Sequence, residues 1–159
     1  MQRNIKPNPS LNQPQKNGLI AGYASFFDII DQHRDRVAKG AFAKTLRAWR
    51  LSGKTPKMLW QHDPKQPIGV WTRLQEDGQG LYVEGRLTLG VVRADEAYLL
   101  MKEGALDGLS IGFRTIEAVQ DKDHKARVIL DIDLIEISLV TFGANARAIV
   151  HQVKSSGAV

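Results

Sequence analysis

The chain has 159 residues, which fits one domain large enough to bury a hydrophobic core. It contains no cysteine, which excludes disulfides, thiolate metal sites and a cysteine nucleophile, and suits a reducing cytoplasm. The net charge of +5 is spread along the chain, so a solvated basic surface accounts for it, and no motif indicates specific nucleic-acid binding.

Both ends of the chain are expected to lie outside the folded domain, which we place at residues 18–153. Residues 1–17 are polar and rich in Pro, Asn and Gln, which predicts a disordered tail without the apolar stretch of a signal peptide. Residues 154–159 are expected to form a flexible C-terminus. No stretch approaches the roughly 18 apolar residues of a membrane span, so we expect no membrane insertion.

The first half of the chain predicts strands around one helix. Phe42, Leu46 and Trp49 share one helical face, and Gly53 ends that helix. The turn residues 76–80 indicate a hairpin. We expect, in order, a strand at 19–27, a loop at 29–39, a helix from 40 to about 53, a strand at 58–62 and hairpin strands at 69–75 and 81–87.

The second half predicts another helix followed by the longest apolar run of the chain. The expected elements are a helix at 92–103, a strand at 109–118, a turn at 120–125, a central strand or two strands joined at a bend at 127–142, a loop at 143–145 and a short final helix at 146–153. Six or seven strands with two or three helices indicate a mainly β protein with helices (α+β). Because most connections are short, we expect a closed antiparallel β-barrel surrounded by helices.

His62 ends the segment predicted as a buried strand, in Leu59-Trp60-Gln61-His62-Asp63-Pro64. Proline favours an extended conformation in the residue before it, so the strand is expected to continue to His62. A half-buried histidine there can titrate near neutral pH, as a general base must. A histidine that only hydrogen-bonds a loop would give the same pattern.

Ser110 is flanked by glycines in Gly108-Leu109-Ser110-Ile111-Gly112-Phe113. Small residues two positions before and after it clear space around the hydroxyl, which an acyl-transfer nucleophile needs in order to approach a peptide carbonyl. A strand serine beside packing glycines is the alternative interpretation.

Glu136 lies in a strand whose apolar face it shares by parity with Leu134 and Val140. A buried carboxylate is costly unless it is paired or hydrogen-bonded, so Glu136 needs a partner such as a histidine. The alternative is an edge strand on which Glu136 is exposed. Together His62, Ser110 and Glu136 have the chemistry of a hydrolytic triad.

Other catalytic motifs are missing from the sequence. The four histidines have no paired spacing for zinc, and there is no phosphate-binding loop, dinucleotide fingerprint or GxSxG elbow. We therefore expect no metal and no cofactor.

The ordered chain resembles the tailed-phage prohead (capsid maturation) proteases over about residues 19–149. Six landmarks of that family occur in order: Ala21-Gly22-Tyr23-Ala24-Ser25 with Phe27-Asp28, Gly40-Ala41-Phe42, Leu59-Trp60-Gln61-His62-Asp63-Pro64 with Pro67-Ile68-Gly69, Gly80-Leu81 with Glu84-Gly85, Gly108-Leu109-Ser110-Ile111-Gly112-Phe113, and Leu134-Ile135-Glu136-Ile137-Ser138-Leu139-Val140-Thr141.

The resemblance implies a fold similar to that of the herpesvirus maturation protease, assemblin, which is a closed β-barrel wrapped by helices. It implies that His62 is the general base, Ser110 the nucleophile and Glu136 the third member, where assemblin has a second histidine. By analogy with assemblin, the oxyanion-hole candidates are the backbone N–H groups around Ala144, Asn145 and Ala146.

The same resemblance implies a serine endopeptidase of a phage or prophage that works in the host cytoplasm, inside an assembling prohead. The implied substrates are the major capsid protein or its scaffolding segment, and the protease itself. Self-association into a homo-oligomer stays open, and neither a membrane nor a specific nucleic acid is expected as a partner.

Two other functions stay open at this point. One is an assembly or scaffolding module of the same fold that has lost activity, for which no serine-directed probe would label Ser110. The other is a small basic β-barrel that binds nucleic acid, which requires exposed aromatic residues on a basic strand face. Trp49, Trp60 and Trp71 are instead expected in the core or at the barrel mouth.

Overall fold

A computed structural model of the chain describes residues 15–145 and 147–156. In chain order the elements are β1 (Gln15–Phe26), β2 (Asp35–Val37), α1 (Ala43–Ser52), β3 (Lys57–Trp60), β4 (Asp63–Glu76), β5 (Gly80–Leu87), α2 (Val92–Lys102), β6 (Gly108–Asp121), β7 (Ala126–Val140) and β8 (Val150–Ser156). β1 and β8 extend beyond the predicted domain limits of 18 and 153, because Gln15 pairs with Ser156. Residues 1–14 and 157–159 of the two predicted tails lie outside the described residues.

Both predicted long helices and the predicted hairpin are present. Gly53 adopts the left-handed conformation that ends α1, with φ 67°. The Glu76 carboxylate accepts hydrogen bonds from the backbone N–H groups of Gly40 and Phe42, at 2.6 and 2.9 Å, just before α1 begins. Glu76 therefore joins the end of β4 to the start of the helix.

Two predicted segments have the wrong secondary structure. The segment 29–39 contains β2, which pairs with β7 in parallel, so it is not only a loop. The predicted final helix at 146–153 is replaced by β8, which pairs with β1. The conformation of this last segment is decided by its long-range pairing with the free edge of β1. The valines at positions 150 and 153 also favour a strand.

The strands of the described part of the chain form one sheet of eight, in the order β2-β7-β3-β4-β5-β1-β8, with β6 also paired to β7. β7 is the central strand, because β6 lies along one of its edges and β2 and β3 lie along the other. The expected purely antiparallel sheet is wrong, since β2 and β3 run parallel to β7. Three strands of the sheet therefore converge on one strand, β7.

The sheet is a curled, open half-barrel, so the predicted closed barrel is also wrong. Its two ends meet at a single isolated bridge between Gly108 and Ile149. β8 begins beside Gly22, so residues 23–26 of β1 extend past it toward β6 without a strand between them. The sheet therefore leaves an open seam between the end of β1 and the start of β6.

Helix α1 and strand β4 both hold the backbone of β7 by hydrogen bonds of tryptophan and threonine side chains. α1 packs on β7 and β4, and α2 packs on β4 and β5. The Trp49 indole donates to the Leu134 carbonyl at 2.9 Å, and the Thr45 hydroxyl accepts from the Leu134 N–H at 3.0 Å. The buried Trp71 indole donates to the Ile137 carbonyl at 3.2 Å. No helix in the described ranges is long and apolar enough to cross a membrane.

Replacing Trp71 with alanine should lower the free energy of unfolding by about 3–5 kcal/mol, because it empties a fully packed site and removes the hydrogen bond to β7. Urea unfolding followed by fluorescence or circular dichroism measures this change. The control Leu51→Ala, at a side chain 79% exposed on α1, should stay within about 0.5 kcal/mol of wild type. Equal effects of the two substitutions would contradict the placement of Trp71.

Candidate active site

His62 lies in a turn between β3 and β4, not at the end of a strand as expected. β3 ends at Trp60, and both Gln61 and His62 have left-handed backbones, with φ 50° and 60°. Two successive residues with positive φ are unusual outside glycine. Gln61 joins this turn to β7 and to the residue after it, through its N–H to the Leu139 carbonyl at 2.9 Å and its side-chain amide to the Thr141 hydroxyl at 2.8 Å.

Glu136 is buried in β7, with only 7% of its surface exposed. One carboxylate oxygen, Oε1, contacts His62 Nδ1. In the sheet, Glu136 lies opposite Gly112 of β6, and a Cβ atom at that position would overlap the carboxylate. The partner that a buried carboxylate requires is therefore the histidine ring, and the glycine opposite gives the carboxylate its space.

Ser138 contacts both of these residues, although sequence reasoning did not single it out. Its hydroxyl donates to Glu136 Oε2 at 2.7 Å and accepts from the His62 backbone N–H at 3.0 Å. The side chain is completely buried. The alternation of side chains along a strand could have indicated Ser138, because it places residues 136 and 138 on the same face of β7.

Ser110 completes the group from the neighbouring strand. In the antiparallel pairing of β6 with β7, Ser110 lies opposite Ser138. Its Oγ is 2.9 Å from His62 Nε2. The structure thus brings Ser110, His62 and Glu136 into one line of contacts, with the two ring nitrogens between a hydroxyl and a carboxylate.

The carboxylate changes the acid–base behaviour of the histidine. The hydrogen bond to Glu136 raises the pKa of His62 above its ordinary value of 6.5, against the smaller lowering caused by partial burial. The imidazole is 42% exposed, so a reactant can approach it. A serine hydroxyl, an imidazole and a carboxylate in this order can activate the hydroxyl as a nucleophile.

A cleft of about 170 Å³ opens beside Ser110 and His62 at the seam between β1 and β6. Apolar and polar residues of both strands line it, and so do two of the three oxyanion-hole candidates, Ala144 and Asn145. The third candidate, Ala146, lies outside the described residues. The loop after β7, which carries these candidates, contacts the segment between β1 and β2, because the Ala144 carbonyl accepts from the Gln32 N–H at 3.2 Å.

No cluster of three or more His, Cys, Asp or Glu side chains that could hold a metal ion is found in the described part of the chain. His62 and Glu136 contact each other and Ser110 or Ser138. His124 contacts Asp121 in the turn that joins β6 to β7, away from this site.

Comparison with known proteins gives a consistent family. The family described as caudovirus prohead serine protease matches residues 7–158. The chain is 35% identical over 144 residues to the prohead protease of Enterobacteria phage HK97, covering 88% of this chain and 62% of that protein. It is 31% identical over 149 residues to the prohead protease of Escherichia phage T5, covering 92% and 69%. The chain thus spans about two thirds of the length of these relatives.

A third relative is named a capsid polyprotein, from Pseudomonas phage PAJU2. It is 38% identical over 103 residues, which are 61% of this chain and 15% of that protein.

Solved structures support the fold. The bacteriophage T4 capsid assembly protease superposes with a TM-score of 0.65 at 14% identity, over 77% of this chain and 80% of that one. The KSHV protease, solved in complex with a hexapeptide phosphonate inhibitor, gives 0.57 at 11% identity, over 83% and 63%. The predicted similarity to a herpesvirus protease fold is confirmed, apart from barrel closure.

The pKa of His62 can be measured by NMR titration of its ring protons in a Ser110→Ala variant, which lacks the serine hydroxyl. We expect a pKa above 6.5, falling when Glu136→Gln is added, because the glutamine removes the charged acceptor. Since folding raises this pKa, the contact stabilises the fold fully below about pH 6.5, and the stabilisation is lost as pH rises through the folded-state pKa.

The control for this titration is Glu103→Gln, at an exposed position after α2, which should leave the His62 pKa unchanged. A His62 pKa that stays the same when Glu136→Gln is introduced would show that the carboxylate does not act on the ring.

Proposed function

The chain belongs to the caudovirus prohead serine protease family, and from this premise we propose that it is a serine endopeptidase that cleaves capsid or scaffold protein during prohead maturation. The observation that carries the proposal is the 2.9 Å approach of His62 Nε2 to Ser110 Oγ, with Glu136 on the other ring nitrogen. This order of groups is the one that nucleophilic acyl transfer needs.

In the proposed mechanism, Ser110 Oγ attacks a peptide carbonyl carbon while His62 Nε2 takes the hydroxyl proton. Glu136 keeps the other ring nitrogen protonated and stabilises the imidazolium. The imidazolium then gives its proton to the departing amine, which leaves an acyl-enzyme on Ser110. A water molecule, deprotonated by His62, attacks the ester and releases the second product with the serine restored.

The negative oxygen that develops during each attack needs hydrogen-bond donors. We propose that backbone N–H groups at Ala144, Asn145 and Ala146 supply them. The position of Ala144 and Asn145 in the wall of the cleft that holds Ser110 supports this assignment. A second support is that the loop is hydrogen-bonded internally, since the Asn145 side-chain oxygen accepts from the Arg147 N–H at 3.1 Å and its backbone carbonyl accepts from the Ala148 N–H at 3.0 Å.

The open seam suits a polypeptide substrate. A segment lying between the end of β1 and the start of β6 would pass directly over Ser110, in a cleft lined by both apolar and polar side chains. We propose that this segment belongs to the major capsid protein or its scaffolding region, and that the protease also cleaves itself. The relative named a capsid polyprotein supports a capsid substrate.

The two alternative functions have less support. An inactive assembly module of the same fold gives no reason for a buried carboxylate, an imidazole and a serine to stand in contact distance. A nucleic-acid-binding role requires exposed aromatic residues on a basic strand face. The 90% exposed Phe142 follows the end of β7 and lies outside the strands. Trp71 is buried, and the indole of Trp60 is covered by the Arg93 guanidinium at 5.0 Å.

Ser110→Ala should reduce cleavage of the cognate capsid protein by at least about three orders of magnitude, because the nucleophile is lost while the fold is kept. The measurement is gel-based cleavage with purified proteins, accompanied by labelling with a fluorophosphonate probe and mapping of the label by mass spectrometry. Wild type should carry the label on Ser110.

The matched control is Ser52→Ala, which removes an exposed serine hydroxyl at the end of α1 and should retain full cleavage and labelling. Undiminished cleavage by Ser110→Ala would rule out the assignment of the nucleophile. A wild-type protein that is folded, unlabelled and inactive would instead favour the inactive assembly module.

A further inference from the structure

We propose that Ser138 is a positioning residue of the active site, which acts with Gly112 to clamp the Glu136 carboxylate and the turn that carries His62. The inference rests on the proposed serine protease function. It adds to the three triad members a fourth side chain that does not touch the reacting atoms, and a glycine whose missing side chain is required.

The hydroxyl of Ser138 is both a hydrogen-bond donor and a hydrogen-bond acceptor. It donates to Glu136 Oε2 at 2.7 Å and accepts from the His62 backbone N–H at 3.0 Å. One hydroxyl therefore fixes the position of the carboxylate relative to the backbone of the histidine that it must meet. The side chain is completely buried, so water does not compete for either hydrogen bond.

The turn at His62 needs this support. Gln61 and His62 are consecutive residues with left-handed backbones, and such conformations persist when surrounding contacts hold them. In this turn the partly buried His62 N–H donates to the Ser138 hydroxyl. Without that acceptor, the turn loses one of the contacts that hold the imidazole toward Ser110.

The carboxylate needs support on two sides. Its Oε1 contacts the His62 ring, and its Oε2 is held by Ser138, so rotation about the last side-chain bond breaks both contacts. On the opposite side lies Gly112, where a Cβ atom would come within 2.7 Å of the Glu136 Cδ and 2.8 Å of its Cγ. The carboxylate is thus held between a hydroxyl on its own strand and a bare backbone on β6.

The test is Ser138→Ala, assayed by kcat, KM and the pH dependence of kcat. We expect kcat to fall about 10- to 100-fold, as is typical when a group that orients a catalytic residue is lost, with KM changed less than about twofold. The acid limb of the profile should move toward pH 6.5, because a carboxylate free to turn away no longer raises the His62 pKa.

Gly112→Ala should also lower kcat, leave KM nearly unchanged and move the acid limb toward pH 6.5, because the added methyl group displaces the Glu136 carboxylate from the opposite side. The matched control is Gly78→Ala, in a turn where a Cβ atom meets nothing within 4 Å and the backbone φ is not positive; it should leave all three quantities unchanged. Gly112→Ala also keeps the proposal testable if Ser138→Ala does not fold.

A double-mutant comparison separates positioning from general destabilisation. In a Glu136→Gln background, Ser138→Ala should lower kcat by less than about tenfold further, because its hold on the charged carboxylate no longer counts and only its support of the His62 N–H is lost. A full 10- to 100-fold further loss, or an unmoved acid limb in both Ser138→Ala and Gly112→Ala, would overturn the proposal. The failure of the proposed function looks different, since wild type itself would then show no cleavage.

Discussion

The buried carboxylate of Glu136 is the constraint on which the site depends. A charge removed from water must be paired and hydrogen-bonded, and the partners present are the His62 ring and the Ser138 hydroxyl. Satisfying the carboxylate therefore fixes the histidine, and fixing the histidine places Nε2 beside the Ser110 hydroxyl. The same contact raises the histidine pKa, so stability and base strength come from one interaction.

The sheet makes this arrangement possible because strands on both edges of β7 reach the stretch that carries Glu136. β6 runs antiparallel to β7 and sets Ser110 opposite Ser138. β3 runs parallel along the other edge, with Trp60 beside Leu139, so the turn that follows it returns across the face of β7. The open seam then leaves a cleft that reaches the Ser110 and His62 side chains.

Local patterns predicted much of the fold and the membership of the site, but not how distant parts meet. Parity along one strand was enough to expect a buried Glu136 in need of a partner. Helix α1 followed from its apolar face and its terminal Gly53. The parallel placement of β3, the strand nature of 150–156 and the open seam depend on long-range pairing. Ser138 went unnoticed because serine in a strand is ordinary until its neighbours are known.

The tautomer of His62 provides the most direct measurement of this constraint, because each ring nitrogen faces a different partner. Nitrogen-15 NMR of the ring, at a pH above the histidine pKa, distinguishes a protonated from a bare nitrogen. If Glu136 orients the ring as described, the proton sits on Nδ1 and Nε2 is bare, ready to accept from the serine hydroxyl. A neutral ring with its proton on Nε2 would contradict the account.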